Sequence, residues 1–474
     1  MQPREVVPTG LTWGWVLPAA MLLLPVRALA ATLTPTGAIV PELLPWGLPF
    51  AAVLASLALG PMLAPRAWHR LSGPVMGVFS LALLLAVAWA QGLDAAGSAL
   101  AHAILDQYLP FMSLLFALYT IGGGILVTGG PWGRPAGNTL LLTIGTVLAG
   151  FLGTTAVAMV LIHPLLRANG YRRRQAHLVI YFILLVANAG GALSPIGDPP
   201  LYVGFLLGVP FFWPLRWLAV PLLLLAVPTL ASFYLLDRHL AAAEPAPPRP
   251  EVLRFRGGVN LGLICLVAVS AAALGAWNPG VLTLAGHRME LDRLAVIVLC
   301  LAVSAISIAI TPKAVRRANM FSWGPIREVA EVFVAIFITI GPVLTMLSAG
   351  AAGPLAGLLG LVTNGTGEPV PAAFFWLTGL LSSLLDNAPT YIVFFGLAGG
   401  DAQRLSGPLA EVLIAISTGA VFFGGLTYIG NAPNLMVRAV AAHRGVRMPG
   451  FFGYSALAAL VLAGPLLIVT WVVF

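Results

Sequence analysis

The sequence predicts an all-α polytopic membrane protein: an inverted repeat with two re-entrant hairpins and two broken transmembrane helices, about ten spans plus an N-terminal signal-like segment. Three observations predict it. Hydrophobic residues make up 59% of the chain and charged residues 8%, with a mean hydropathy of +0.97, whereas a soluble domain carries about 25% charged residues. Apolar runs of spanning length recur along the whole chain. Two interruptions of those runs also recur at one offset. Ile196-Gly197-Asp198 precedes Ile429-Gly430-Asn431 by 430 − 197 = 233 residues, and Gly153-Thr154-Thr155-Ala156 precedes Asp386-Asn387-Ala388-Pro389 by 386 − 153 = 233. Interrupted helices at matching places in two halves point to a transport site near the bilayer midplane.

Residues 1–31 carry Arg4, a short apolar stretch and Ala28-Leu29-Ala30-Ala31, the layout of a signal peptide or of an uncleaved first helix. Spans then fit about 43–64, 74–91 and 106–128, with a loop holding Arg66, His69 and Arg70 between the first two. The run 138–166 is interrupted at Gly153-Thr154-Thr155 and reads as a hairpin with its polar tip inside the membrane. A broken helix follows over 176–209. Proline removes a backbone donor and glycine admits unusual dihedrals, so Ser194-Pro195-Ile196-Gly197-Asp198-Pro199-Pro200 should unwind it. A span at 215–237 completes the first half, 43–237, and the proline-rich stretch 238–257 is a cytoplasmic linker. The second half, 258–474, holds spans at 258–276, 292–310 and 328–348, a hairpin at 372–397, a broken helix at 408–443 and a closing span from about 452.

The net charge of +8 lies in short loops, which speaks for topology rather than nucleic-acid binding. Arg66/Arg70, Arg172–Arg174, the 238–257 linker, Lys313/Arg316/Arg317 and Arg438–Arg447 fall on one side if each broken helix crosses once and each hairpin returns. That side is expected to be the cytoplasm of an inner membrane, with the C-terminus external. Loops that correspond by the offset then lie on opposite faces, so the repeat is inverted. Cys265 and Cys300 sit in apolar runs and read as core residues, not as redox or metal ligands.

Asp198 and Asp386 carry the chemistry, because an acid at the centre of a spanning helix costs about 2.5–3.5 kcal/mol and is retained for function. Capping of a helix end or pairing with a buried arginine is the structural alternative for each. Thr154, Thr155, Asn188, Ser194, Asn387, Thr427, Asn431 and Asn434, with carbonyls freed near Gly197 and Gly430, supply oxygen donors suited to sodium. The sodium site is placed at Asp198, Asp386, Asn387 and Thr154. Asp94, His102 and Asp106 fall near an external loop and should be solvated, and His163 should be a buried neutral ring bonded to a carbonyl. Two intramembrane aspartates also admit an aspartyl protease dyad. The prolines around Asp198 speak against it, as does the survival of only one acid in each duplicated pair, so no enzyme is expected.

The stretches Asn188–Leu201 (NAGGALSPIGDPPL), Leu385–Thr390 (LDNAPT) and Thr427–Asn434 (TYIGNAPN) resemble a bacterial group of the ion transporter superfamily. This is the sodium:proton antiporter or citrate-transporter-like group, related to CitMHS and NhaD, and the resemblance runs from about Leu48 to the C-terminus. It implies a homodimer in the lipid bilayer, with tips at Gly153-Thr154-Thr155 and Asp386-Asn387-Ala388 and clamshell loops at Ser194–Pro200 and Thr427–Asn434. The dicarboxylate symporters of that superfamily carry Ser-Asn-Thr at each tip, where this chain has Gly-Thr-Thr and Asp-Asn-Ala. The expected function is therefore sodium/proton antiport by alternating access, with sodium and protons as partners and no cofactor beyond the transported sodium. The alternative is sodium- or proton-coupled symport of citrate or another small carboxylate.

Overall fold

The computed structural model describes residues 41–474 apart from 64, 248, 250, 275–279 and 285–286. The signal-like segment 1–31 lies outside the described residues. Among them, seven helices are long and apolar enough to cross a membrane, or eight if one bent pair counts as a span. The chain is an all-α polytopic membrane protein. The count falls below ten because the helices at three of the expected spans, Leu44–Gly60, Gly258–Ala273 and Ala410–Leu426, are shorter than 18 residues, while the hairpin arm Pro135–Leu152 is long enough to be counted.

Helix α1 (Leu48–Leu63) is followed by α2 (Pro65–Gln91), which already covers the expected loop at 66–70 because Pro65 opens the helix at its first turn. The next helix, α3 (Leu93–Gly122), contains a π-helical stretch over His102–Tyr108. Asp106 is not solvated as expected: its side chain is 13% exposed and pairs with His102 at 2.7 Å. The expected 106–128 span stops at Gly122, where three glycines end the helix, and Leu126–Gly130 instead forms strand β1. β1 pairs antiparallel with β2 (Glu251–Arg256), so part of the 238–257 connector is tied down as a strand.

The first hairpin consists of α4 (Pro135–Leu152) and α5 (Thr154–Ala168), separated by Gly153 at φ 90°. Its open end is closed by two reciprocal amide bonds between Asn138 and Asn169, at 3.0 and 2.9 Å, so the arms run antiparallel. The first broken helix follows, as α6 (Ala176–Leu185) and α7 (Pro199–Leu206). Then come α8 (Trp213–Ala241), α9 (Gly258–Leu274), α10 (Leu291–Ile310) and α11 (Lys313–Ala318). The expected span 328–348 is bent by 46° between α12 (Gly324–Thr339) and α13 (Gly341–Ser348), because Pro342 cannot donate to the preceding turn.

The second hairpin is α14 (Pro371–Leu384) and α15 (Asn387–Leu397). At about 1.5 Å per residue its arms reach only about 21 and 17 Å, short of an apolar core about 30 Å thick, so they enter and return. The second broken helix, α16 (Ala410–Phe423) and α17 (Ala432–His443), leads to the closing α18 (Phe451–Val473).

The repeat is written in hydrogen bonds. Ser194 Oγ donates to the Gly150 carbonyl at 2.5 Å, and Thr427 Oγ1 donates to the Ser383 carbonyl at 2.5 Å. Both partners are displaced by 233 (427 − 194 and 383 − 150), so each half pins its broken helix to its own hairpin by the same bond. The halves are inverted relative to each other. Residues 173–177 at the base of the first hairpin share a cavity with Gly445–Arg447, the exit of the second broken helix. At the other end Trp213, at the exit of the first broken helix, bonds the carbonyl of Ser406 beside the second hairpin.

Arg172 does not behave as a loop charge. It is buried, and its guanidinium bonds Asp237 of α8, which in the sequence looks like an ordinary charge at the end of a span beside Arg238. Asp237 also accepts from Asn138 at 2.9 Å and meets His177 Nε2 at 2.9 Å, while Arg172 donates to the Gly133 carbonyl at 2.8 Å. This network anchors the base of the first hairpin to α8. Removing one member of a buried pair strands a charge, so Asp237→Asn should cost about 3–5 kcal/mol, and Asp237→Leu combined with Arg172→Leu much less. Thermal unfolding in detergent should rank the double variant above the single one.

Candidate functional site

Asp198 stands at the end of the first unwound stretch, directly before the two prolines that start α7. It is 1% exposed. Its carboxylate accepts from Thr154 Oγ1 at 3.0 Å, Asn387 Nδ2 at 2.5 Å and Asn431 Nδ2 at 3.1 Å. These donors come from the tip of the first hairpin, the tip of the second and the second broken helix. One acid is thus bound by neutral donors from both halves, and no cation neutralises it among these contacts.

Close backbone packing puts it there. The Gly197 carbonyl accepts the Thr154 N–H at 2.8 Å, docking the loop on the hairpin tip. A Cβ at Gly197 would lie 2.2 Å from the Gly191 carbonyl oxygen, and one at Gly430 would lie 2.6 Å from that of Gly424. Glycine is required in both loops for the same contact (424 − 191 = 233).

A second layer of amides supports the first. Asn431 Nδ2 also donates to Asn188 Oδ1 at 3.2 Å, and Asn188 Nδ2 donates to Asn434 Oδ1 at 2.7 Å. Asn434 in turn donates to the carbonyls of Gly424 and Thr427 at 2.8 and 2.9 Å. Asn188 and Asn434 therefore hold the site together from behind. Ser194 and Thr427, expected as ligands, brace loops: besides its bond to Ser383, Thr427 Oγ1 accepts from the N–H of Ile429 and Gly430.

Asp386 occupies a different place. It caps α15, with Oδ1 3.4 Å from the Ala388 nitrogen, so the capping role holds for it. It is half-buried and lines a cavity of about 50 Å3 together with Thr154, Thr155, Gly197 and Asn431, room for a few waters or a small ion. Tyr119 of α3 with Pro325 and Phe333 of α12, which the sequence did not single out, also line it. Among the described residues, no basic side chain lines the cavity. Asp198 does not itself line the cavity but is bonded to Thr154 and Asn431, which do, and Asn387 bonds Asp198 in turn. Asn387 Oδ1 is buried with no hydrogen-bond partner among the described residues.

Helices α5, α7, α15 and α17 all begin at this point, so four helix N-termini converge on it. Their dipoles favour negative charge, which Asp198 and Asp386 provide. His163 is remote from this cluster. As expected it is buried, and Nε2 lies 3.1 Å from the Asn319 carbonyl.

Gly197→Ala and Gly430→Ala each push a methyl group into a backbone oxygen and should cost at least about 3 kcal/mol, the upper end for overpacking. Gly464→Ala in α18, where a Cβ meets open space, should be harmless. Melting temperatures of the purified variants would separate the two groups.

The family model CitMHS_2, described as "Putative citrate transport", matches residues 41–474. No curated protein matches the chain. A match over nearly the whole length, on a polytopic helical fold whose two halves meet at one buried acid, shows that the chain belongs to this family of citrate-type transporters.

Proposed function

We propose that the protein is a secondary active transporter that exchanges sodium for protons by alternating access. The carrying observation is the Asp198 carboxylate, bound by hydroxyl and amide groups from both hairpin tips and the second broken helix. A carboxylate in this setting can hold either a proton or a sodium ion, and oxygen donors suit sodium. An ion arriving through the cavity meets Asp386 first. Rotation of the Asn387 amide turns its unpartnered Oδ1 toward the ion, so Asp198, Asn387 and Thr154 become ligands. Protonation of Asp198 then removes the negative charge that holds sodium, and the ion is released.

The moving body is the pair of hairpins with the broken helices. The scaffold is the surrounding helices, α3 and α12 foremost, since the cavity lies on that boundary. On this reading the face bearing Arg173, Arg174 and Arg447 is cytoplasmic in a bacterial inner membrane. If protons outnumber sodium ions in the cycle, each extra charge couples about 2.3 kcal/mol per 100 mV of potential.

Carboxylate symport is the second reading, and two observations favour it: the family description and the four helix N-termini, which attract anions. Against it, a citrate anion would face Asp386 in a cavity that no basic side chain lines among the described residues.

Everted vesicles with an acid interior, made from cells stripped of their own antiporters, test the choice. Sodium should collapse the gradient in wild type, and Asp198→Asn and Asp386→Asn should each slow the collapse at least about tenfold, the equivalent of one lost charged contact. A correctly inserted wild type that ignores sodium but takes up citrate would select symport instead.

A further inference from the structure

Away from the ion site, the base of the first hairpin and the exit of the second broken helix enclose a cavity of about 520 Å3. Its walls include Arg173, Arg174 and His177 from the first half and Arg447 from the second. The three arginines are exposed, and none of their guanidinium groups donates a hydrogen bond to a described residue. His177 is committed to Asp237. Gln175 and Ala176, at the start of α6, also line the cavity, and Gln175 makes no side-chain cap for that helix.

The backbone here already holds an anion. Glu244, just past the end of α8, accepts the N–H of Arg173 at 2.8 Å and that of Arg174 at 3.0 Å, a pair of successive amides aimed at one carboxylate. Those bonds, Arg173's first, hold the Glu244 carboxyl below its usual range and keep it ionised. Arg173, Arg174 and Arg447 against Glu244 leave a balance of 3 − 1 = +2. A phosphate monoester carries about −1.5 to −2 at neutral pH and matches that balance, and guanidinium forks suit its geometry.

We propose that this cavity is a binding site for a phosphate-bearing anion, with Arg173, Arg174 and Arg447 as its ligands and Glu244 as the internal carboxylate it competes with. The anion comes either from a lipid headgroup, since the cavity sits at the ends of α6, α8 and α17, or from a soluble phosphate compound. Because the arginines come from both halves, a bound anion bridges α6, the first arm of the helix that carries Asp198, to the segment before α18. It therefore favours the arrangement in which these loops are close.

The test uses the full chain purified in an uncharged detergent. Its melting temperature is followed against inorganic phosphate, with chloride at matched ionic strength, and against phosphatidic acid, whose headgroup is a phosphate monoester, with phosphatidylcholine as control. Saturable stabilisation is expected from at least one anion, and which one responds identifies the source. The double variant Arg174→Gln/Arg447→Gln should melt like wild type in chloride but need at least about tenfold more anion, as for two lost charge-assisted contacts. Glu244→Gln should shift the other way and need less. No saturable effect, or an equal effect in wild type and the double variant, would overturn the proposal.

Discussion

The structure depends on one interaction, the closing of three neutral donors from both halves around the Asp198 carboxylate. A lone carboxylate at this depth would be costly, and the hydrogen bonds from Thr154, Asn387 and Asn431 offset that cost only if both hairpin tips and the second loop arrive together. The acid therefore works as a register pin. Ser194 and Thr427 hold each loop to its own hairpin, glycines let backbone approach backbone, and Asn188 and Asn434 join the loops across the symmetry.

The symmetry is one of backbone contacts more than of residues. In the first half Gly190 of the broken helix gives way to Thr146 of the hairpin. In the second, Gly379 of the hairpin gives way to Phe423 of the broken helix, at the same paired positions (379 − 146 and 423 − 190 are both 233). The small residue has changed sides while the close approach is kept. Likewise Asp198 matches Asn431 and Thr154 matches Asn387, so the duplicated frame carries one acid clasped by three neutral donors. The base of the first hairpin is fixed to α8 by the buried Asp237 network, whereas the side facing α3 and α12 carries less polar bonding. His163 of the first hairpin meets the Asn319 carbonyl through a single bond, and the cavity wall on the α3 and α12 side is mostly apolar. Apolar contacts lack direction and can slide, which fits the boundary on which the proposed exchange would turn.

Much of the architecture could be read from the chain. Proline and glycine at 195–200, and the same pattern 233 residues on, dictated unwound loops, and polar residues inside apolar runs marked the tips. Less legible was anything set by a partner distant in sequence. Leu126–Gly130 reads as the tail of an apolar run, and only its pairing with Glu251–Arg256 makes it a strand. Asp237 and Arg172 each look like ordinary charges at the end of a membrane segment, and they are buried only because the hairpin base folds onto α8. Ser194 and Thr427 read as ligands because composition cannot say which way a hydroxyl turns; both turn to a carbonyl of the hairpin. The scaffold wall at Tyr119 and Phe333 carried no sequence signal, being apolar among apolar residues.

The central claim is that one carboxylate, Asp198, is shared in turn by a proton and a sodium ion. Proton release from the purified protein in weakly buffered detergent solution, recorded as sodium is added, tests it most directly. The account predicts that sodium binding expels protons from wild type, that added acid weakens sodium binding, and that both effects vanish in Asp198→Asn while the variant keeps its fold. Sodium binding without proton release, or release that persists in Asp198→Asn, would contradict it.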